Sequence, residues 1–261
     1  MSAAADSVVT IEREAAVAFV RLAAPPLNLL TQALRRALTD AVAAAEADPS
    51  VRALVVAGAE NFCAGADLKE FGARVDPAVA DAHGRNGHAM TLRLVGCDKP
   101  IVAAIEGACL GGGFEIALAC DLRIAAHDAR LGLPEIGRGV FPGTGGLPLL
   151  ERLVGPARTK RIALGGEVFA AASPEADGIV DLRVEPGQAL ARALEVARAF
   201  SARPAGSVGA IKRLVDGDFR TRLAERLEVE RAEYVAAFRR ADAREGWRAF
   251  LEKRPPAWAH H

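Results

Sequence analysis

Gly107–Asp121 reads G-A-C-L-G-G-G-F-E-I-A-L-A-C-D. The run Ile101-Val102-Ala103-Ala104-Ile105 leads into it and predicts a buried strand. Three adjacent glycines then open an apolar segment with helical spacing, and Glu115 falls in its first turn. Glycines at a helix start clear side chains from the N–H groups, so a ligand oxygen can reach them. The helix dipole favours negative charge at the same point. A carboxylate placed there suits proton transfer beside an oxyanion better than phosphate binding. The combination points to acyl chemistry.

Outward from this segment, strands and helices alternate. Val8–Glu12 and Ala16–Leu22 predict a hairpin around Arg13–Ala15. Pro25-Pro26 breaks the pattern. Leu34, Leu38, Ala41, Val42 and Ala45 then share one face of a helix over 31–45, ended by Asp48-Pro49. Val51–Ala57 is a continuous apolar run of the buried, parallel type. Gly58–Asp67 reads as a loop, Phe71–Arg85 as a mobile, irregular stretch of mixed charge, and Met90–Val95 as the end of a helix. Beyond Asp121, Leu122–Ala125 and Arg130–Leu131 predict short strands. Pro134–Gly146, with five glycines and two prolines, predicts a loop. From Gly155 the pattern turns helical, over 157–164, 174–178, 188–203, 206–216 and 219–253. Such alternation argues for right-handed βαβ units in an α/β core over 1–190, followed by a helical portion over 191–261.

The chain has 261 residues, enough for a sizeable core. Thirty-three basic and 33 acidic residues cancel, which removes any bulk electrostatic case for nucleic acid or an acidic membrane. Cys63, Cys97, Cys109 and Cys120 form no Cys-x-x-Cys pair and read as buried free thiols in a reducing compartment. Met1–Thr10 resembles neither a secretory signal nor a transit peptide, and no apolar run reaches membrane-spanning length; a cytoplasmic protein is expected. No Gly-x-Ser-x-Gly, P-loop or dinucleotide fingerprint is present.

Three loops follow apolar strands: Cys63-Ala64-Gly65-Ala66-Asp67, Gly111-Gly112-Gly113-Phe114-Glu115 and Leu133-Pro134-Glu135-Ile136-Gly137. Ligands of open α/β sheets gather where such loops converge. Together, N-F-C-A-G-A-D-L-K-E (61–70), the G-G-G-F-E segment, P-E-I-G-R-G-V-F-P-G (134–143) and E-G-W-R-A-F-L-E-K-R (245–254) resemble the enoyl-CoA hydratase/isomerase (crotonase) family in order and spacing. That resemblance implies an α/β, crotonase-like fold of repeated ββα units with two roughly perpendicular sheets and a C-terminal helical trimerisation portion. It implies a homotrimer or a dimer of trimers acting on an acyl-CoA thioester, with no metal and no redox cofactor, CoA arriving as part of the substrate.

Residue by residue, the resemblance puts Ala66 and Gly112 at the oxyanion-hole positions, and Glu115 and Glu135 at those of the two hydratase glutamates. The first glutamate activates water, and the second is associated with the proton reaching C2. Ala64 and Leu68 would lie near the adenine, Lys253 near the CoA phosphates, and Phe141 beside the acyl group. Hydration of a 2-enoyl-CoA to a 3-hydroxyacyl-CoA is the activity implied. A double-bond isomerase or another CoA-thioester reaction on the same site is the nearest alternative; the Pro25-Pro26-Leu27-Asn28 opening favours the isomerase and retention of Glu115 disfavours it. An RNA-binding crotonase-like protein is the alternative of another class, which zero net charge disfavours. Gly145-Gly146-Leu147-Pro148-Leu149-Leu150 departs from the family's G-G-T-Q-R-L, which bears on the substrate more than on the reaction.

Other polar residues read as structural. Asp67 is a helix cap, Asp121 a local hydrogen-bonding group, and Arg138 a solvated charge ahead of a substrate contact. His83 and His88 read as surface residues, His127 lacks an evident acidic partner, and His260-His261 reads as a tag remnant.

Overall fold

The computed structural model describes residues 8–260; the readings over Met1–Ser7 and at His261 lie outside them. The hairpin forms as expected, with β1 (Val9–Glu14) antiparallel to β2 (Val17–Leu22) and Ala15 turning the chain at φ +51°. Thr31 caps α1 (Gln32–Ala47), its hydroxyl accepting from Leu34 N–H at 3.2 Å, and the predicted apolar stripe faces the core. β3 (Ala53–Ala57) and β4 (Ile101–Ile105) are buried throughout, as befits central strands.

α2 (Pro77–Gly96) occupies much of the stretch expected to be irregular. Asp76 caps it by accepting from Ala78 N–H at 2.8 Å, with Pro77 in the first turn. Its buried face carries Ala80, His83, Gly84, Gly87, His88 and Thr91, so small and polar residues hide the apolar period. Close packing explains that face. A methyl at Gly84 would stand 3.2 Å from Arg231 Cγ, and one at Gly87 3.1 Å from the Thr144 side chain. His83 and His88 are therefore interior residues, not surface ones.

β5 (Ala108–Leu110), α3 (Gly112–Ala119), β6 (Leu122–Ala126) and β7 (Arg130–Gly132) follow in turn. α4 (Gly146–Gly165), kinked at Gly155, then leads to β8 (Val168–Ala170) and β9 (Leu182–Val184). The main sheet runs β1-β2-β3-β4-β6-β9, parallel from β2 onward; the second runs β5-β7-β8. Strand pairs followed by a helix recur as β1-β2-α1, β4-β5-α3 and β6-β7-α4, the repeated ββα architecture expected.

α5 (Ala189–Ser201) lays Ala189, Ala193 and Ala197 on one face of the main sheet, while the larger core fills the other. α6 (Ala205–Arg239) runs unbroken through Gly217-Asp218, where the sequence suggests a gap, and stops at Arg240 before α7 (Ala241–Leu251). Asp121 bonds at long range, accepting from Ile101 N–H at 2.7 Å and pairing with Lys212 on α6. His127 does have an acidic neighbour, Glu185 at 3.7 Å. All four cysteines are buried and free. Among the described residues, no helix is long and apolar enough to cross a membrane.

Candidate active site

The glycine run at the head of α3 is shaped by three different neighbours. Gly111 holds φ +52°, and a methyl there would stand 2.6 Å from Glu135 Oε1. At Gly112 it would meet Leu30 Cδ2 at 2.5 Å, and at Gly113 the Cys63 carbonyl oxygen at 2.1 Å. The glycines thus admit two pieces of chain and a carboxyl group. Gly112 begins the helix, where first-turn N–H groups have no acceptor within it.

The 63–67 loop is threaded between two segments. Cys63 N–H donates to Ala108 O at 2.9 Å and Leu110 N–H to Cys63 O at 3.0 Å. On its other side, Ala64 N–H donates to Leu27 O and Leu30 N–H to Gly65 O, each at 2.9 Å. Ala66 is held in this threaded loop beside the α3 start. Asp67 caps the following turn by accepting from Lys69 N–H at 2.9 Å, the structural role expected.

A cleft of about 360 Å³ opens here, lined by Leu27, Leu29, Ala64, Ala66, Leu68 and Glu135, with Gly111, Arg138, Phe250 and Leu251 on its other walls. Phe141 lies against neighbouring cavities and packs edge-on to Tyr234 at 6.4 Å between ring centroids. Lys253 lies outside this cleft, just past α7 at φ +53°, although Phe250 and Leu251 upstream line it. Arg138 is half-buried, its guanidinium 4.0 Å from the Phe250 ring centroid.

Glu115 is 2% exposed. Its Oε1 accepts from Thr144 and Gly146 N–H, both at 2.8 Å, and its Oε2 lies 3.8 Å from where a Gly112 methyl would stand. The two glutamates therefore flank adjacent glycines. Burial, then the charge of Glu230, pushes the Glu115 carboxyl up to about 7, against the pull of the two amides and Arg35. Burial, then Glu115, pushes Glu135 up to about 8. Glu135 Oε2 is buried without a hydrogen-bond partner. Its turn, Pro134–Arg138, rests on α7, where a methyl at Gly246 would stand 2.2 Å from the Arg138 carbonyl carbon.

The model of the enoyl-CoA hydratase/isomerase family matches residues 12–261. The chain belongs to that family. A probable enoyl-CoA hydratase of Mycobacterium bovis is 36% identical over 97% of this chain and 98% of its own. The crotonyl-CoA hydratase of Syntrophomonas wolfei is 32% identical over 94% and 95% respectively. The crystal structure of carnitinyl-CoA hydratase from Mycobacterium avium superposes with a TM-score of 0.88 at 33% identity, over 98% of this chain and 99% of that one.

Several residues around the site escape the sequence reading. Glu230 and His88 lie behind Glu115, 3.0 Å apart and both buried. Arg35 is buried on α1, and Arg74 donates to Tyr234 Oη at 2.8 Å. A signal for Glu230 exists: Leu223, Leu227, Glu230 and Tyr234 fall at helical spacing, so the glutamate sits on the inward stripe.

Proposed function

We propose that this protein is an enoyl-CoA hydratase, a hydro-lyase acting on a 2-enoyl-CoA thioester. One observation carries the reading: Glu135 and Glu115 meet at Gly111 and Gly112, with proton affinities raised to about 8 and about 7. The Ala66 and Gly112 N–H groups receive the thioester oxygen as it gains negative charge. Glu115, whose Oε1 accepts two backbone N–H bonds that favour the ionised form, is the base. It takes a proton from water while the water oxygen bonds to C3. Glu135, still protonated near neutral pH, gives its proton to C2. A proton passing from Glu115 to Glu135 then restores the site, and the net change is one water added.

The kcat/KM profile of such an enzyme is bell-shaped, its acid limb set by Glu115 and its alkaline limb by Glu135. Ala64 and Leu68, which line the cleft, serve the CoA end; the acyl-side role of Phe141 rests on the sequence reading, since it lines neighbouring cavities. Lys253 serves CoA phosphates, in reach of a neighbouring copy.

The working form is a homotrimer or a dimer of trimers. Ile211, Leu214 and Val215 support that reading, because these apolar side chains of α6 stand in solvent, Leu214 at 85% exposure. Loss of the enoyl thioester absorbance across a panel of 2-enoyl-CoA chain lengths tests the activity, with 3-enoyl-CoA as the isomerase control. Turnover of the 3-enoyl substrates alone would replace hydration by isomerisation. Light scattering gives the number of copies.

A further inference from the structure

Two carboxylates share three consecutive N–H groups at the start of α4. Thr144 and Gly146 donate to Glu115 Oε1, while Gly145 between them donates to Glu230 Oε1, each bond at 2.8 Å. Gly145 is in the left-handed region at φ +88°, which turns its N–H away from its neighbours'. Glu230 Oε1 also lies 3.0 Å from His88 Nε2 on α2. Thr91 on the same helix donates to the Thr144 carbonyl at 2.6 Å. A methyl on Gly145 would stand 3.1 Å from Thr91 Cγ2, so α2 fits closely against the turn.

Glu230 is 8% exposed and takes no part in the proton transfers described above. A charge so buried is costly unless its bonds are put to use. We propose that Glu230, backed by His88, is a positioning residue for Glu115: it grips the Thr144–Gly146 turn from the opposite side and keeps a negative charge next to it. This deepens the hydratase reading and rests on it.

The titratable groups around Glu115 come from four elements. Glu230 on α6 is negative, Arg35 on α1 is positive, Glu135 on its turn carries its proton near neutral pH, and His88 on α2 lies behind Glu230. Other charges near Glu230 are engaged elsewhere: Arg226 with Glu151 at 2.6 Å, Arg231 with Asp81 and Glu228, and Arg85 with Asp81. Glu230 thus opposes Arg35 and keeps Glu115 able to both accept and release a proton near neutrality.

Glu230→Gln tests this, because its amide oxygen can still accept from Gly145 while the charge is gone. The acid limb of kcat/KM is expected to move to lower pH by about one unit, with KM within about twofold of wild type. The same shift should appear without substrate, in the Glu115 carboxyl band followed by pH-difference infrared spectroscopy against Glu115→Gln. His88→Leu removes the partner that holds the Glu230 carboxylate against the turn, and should move the band the same way by less. If Glu230→Gln does not fold, His88→Leu decides alone. An unmoved Glu115 band in folded protein overturns the proposal. A shifted band in a protein that hydrates no enoyl-CoA upholds the placement of Glu230 and overturns the hydratase reading instead.

Discussion

Glu115 and Glu135 stand over neighbouring glycines yet are held in opposite ways. Glu115 projects from a short helix buried along its length, and two amides bind the same oxygen. Glu135 projects from a 3-10 turn propped by α7, with a buried oxygen that has no partner. Burial raises the proton affinity of both. Only at Glu115 do hydrogen bonds from two other residues favour the ionised form, pulling against the shared effect of burial. Unequal hydrogen bonding, on top of shared burial, turns two identical side chains into a base and an acid.

The strongest way to break that comparison is to remove each acid in turn. Glu115→Gln and Glu135→Gln should each lower kcat at least about a hundredfold, while KM changes little. Steady-state kinetics on a 2-enoyl-CoA measures this. Full turnover in both variants would take the pair out of the mechanism.

A gentler disturbance moves only one partner. Gly111→Ala puts a methyl 2.6 Å from Glu135 Oε1 and forces a non-glycine residue to φ +52°. Turnover should fall about tenfold or more, with a stability cost of about 1–3 kcal/mol for the strained backbone. Denaturant unfolding separates the two effects. The acid limb set by Glu115 should stay where it was.

The segments that meet at this candidate site are legible in the sequence because each is local, while the roles given to their residues rest on the family resemblance. Ala66 lies in a loop, Gly112 and Glu115 in the first turn of α3 and Glu135 in a 3-10 turn, each following an apolar strand where glycine and charge stand out. The main strands and α1 were equally plain, because one face of each is uniformly apolar. α2 was hidden because it meets α6 and the Thr144 turn through glycines and histidines, which carry no apolar period. Glu230 was hidden for a related reason. It is one acidic residue among many on a charged helix, and its value depends on His88 and Gly145, 142 and 85 positions away in the chain. The glycine run was read as room for a ligand, and it also makes room for Leu30, Cys63 and Glu135.

Stability should register the two acids as well. An unfolded glutamate loses its proton near 4.5, whereas these retain theirs to about 7 and about 8. Across that interval the folded chain binds more protons, so stability falls as pH rises. His83 acts in the opposite sense: burial, then Arg74, lowers it from 6.5 to about 3, so its contribution grows with pH between those values. Above 6.5 the histidine contribution is complete and the carboxyls stand alone. Tm should therefore fall between pH 6.5 and 8, on the order of 5 °C. Glu115→Gln and Glu135→Gln should each flatten the decline in differential scanning calorimetry, Glu135→Gln more so.

The smallest expected effect touches Glu135 alone. Arg138 lies beside it in the cleft, and its charge pulls the Glu135 carboxyl downward against burial. Arg138→Gln removes that pull, so the alkaline limb of kcat/KM should move up by less than about one unit. The acid limb should hold, because Arg138 is not among the charges acting on Glu115. Loss of the stack on Phe250 should cost about 0.5–1 kcal/mol in unfolding experiments, the size of an exposed cation–π contact. Movement of both limbs together would mean that the two acids titrate as one unit, and their assignment as separate base and acid would fail.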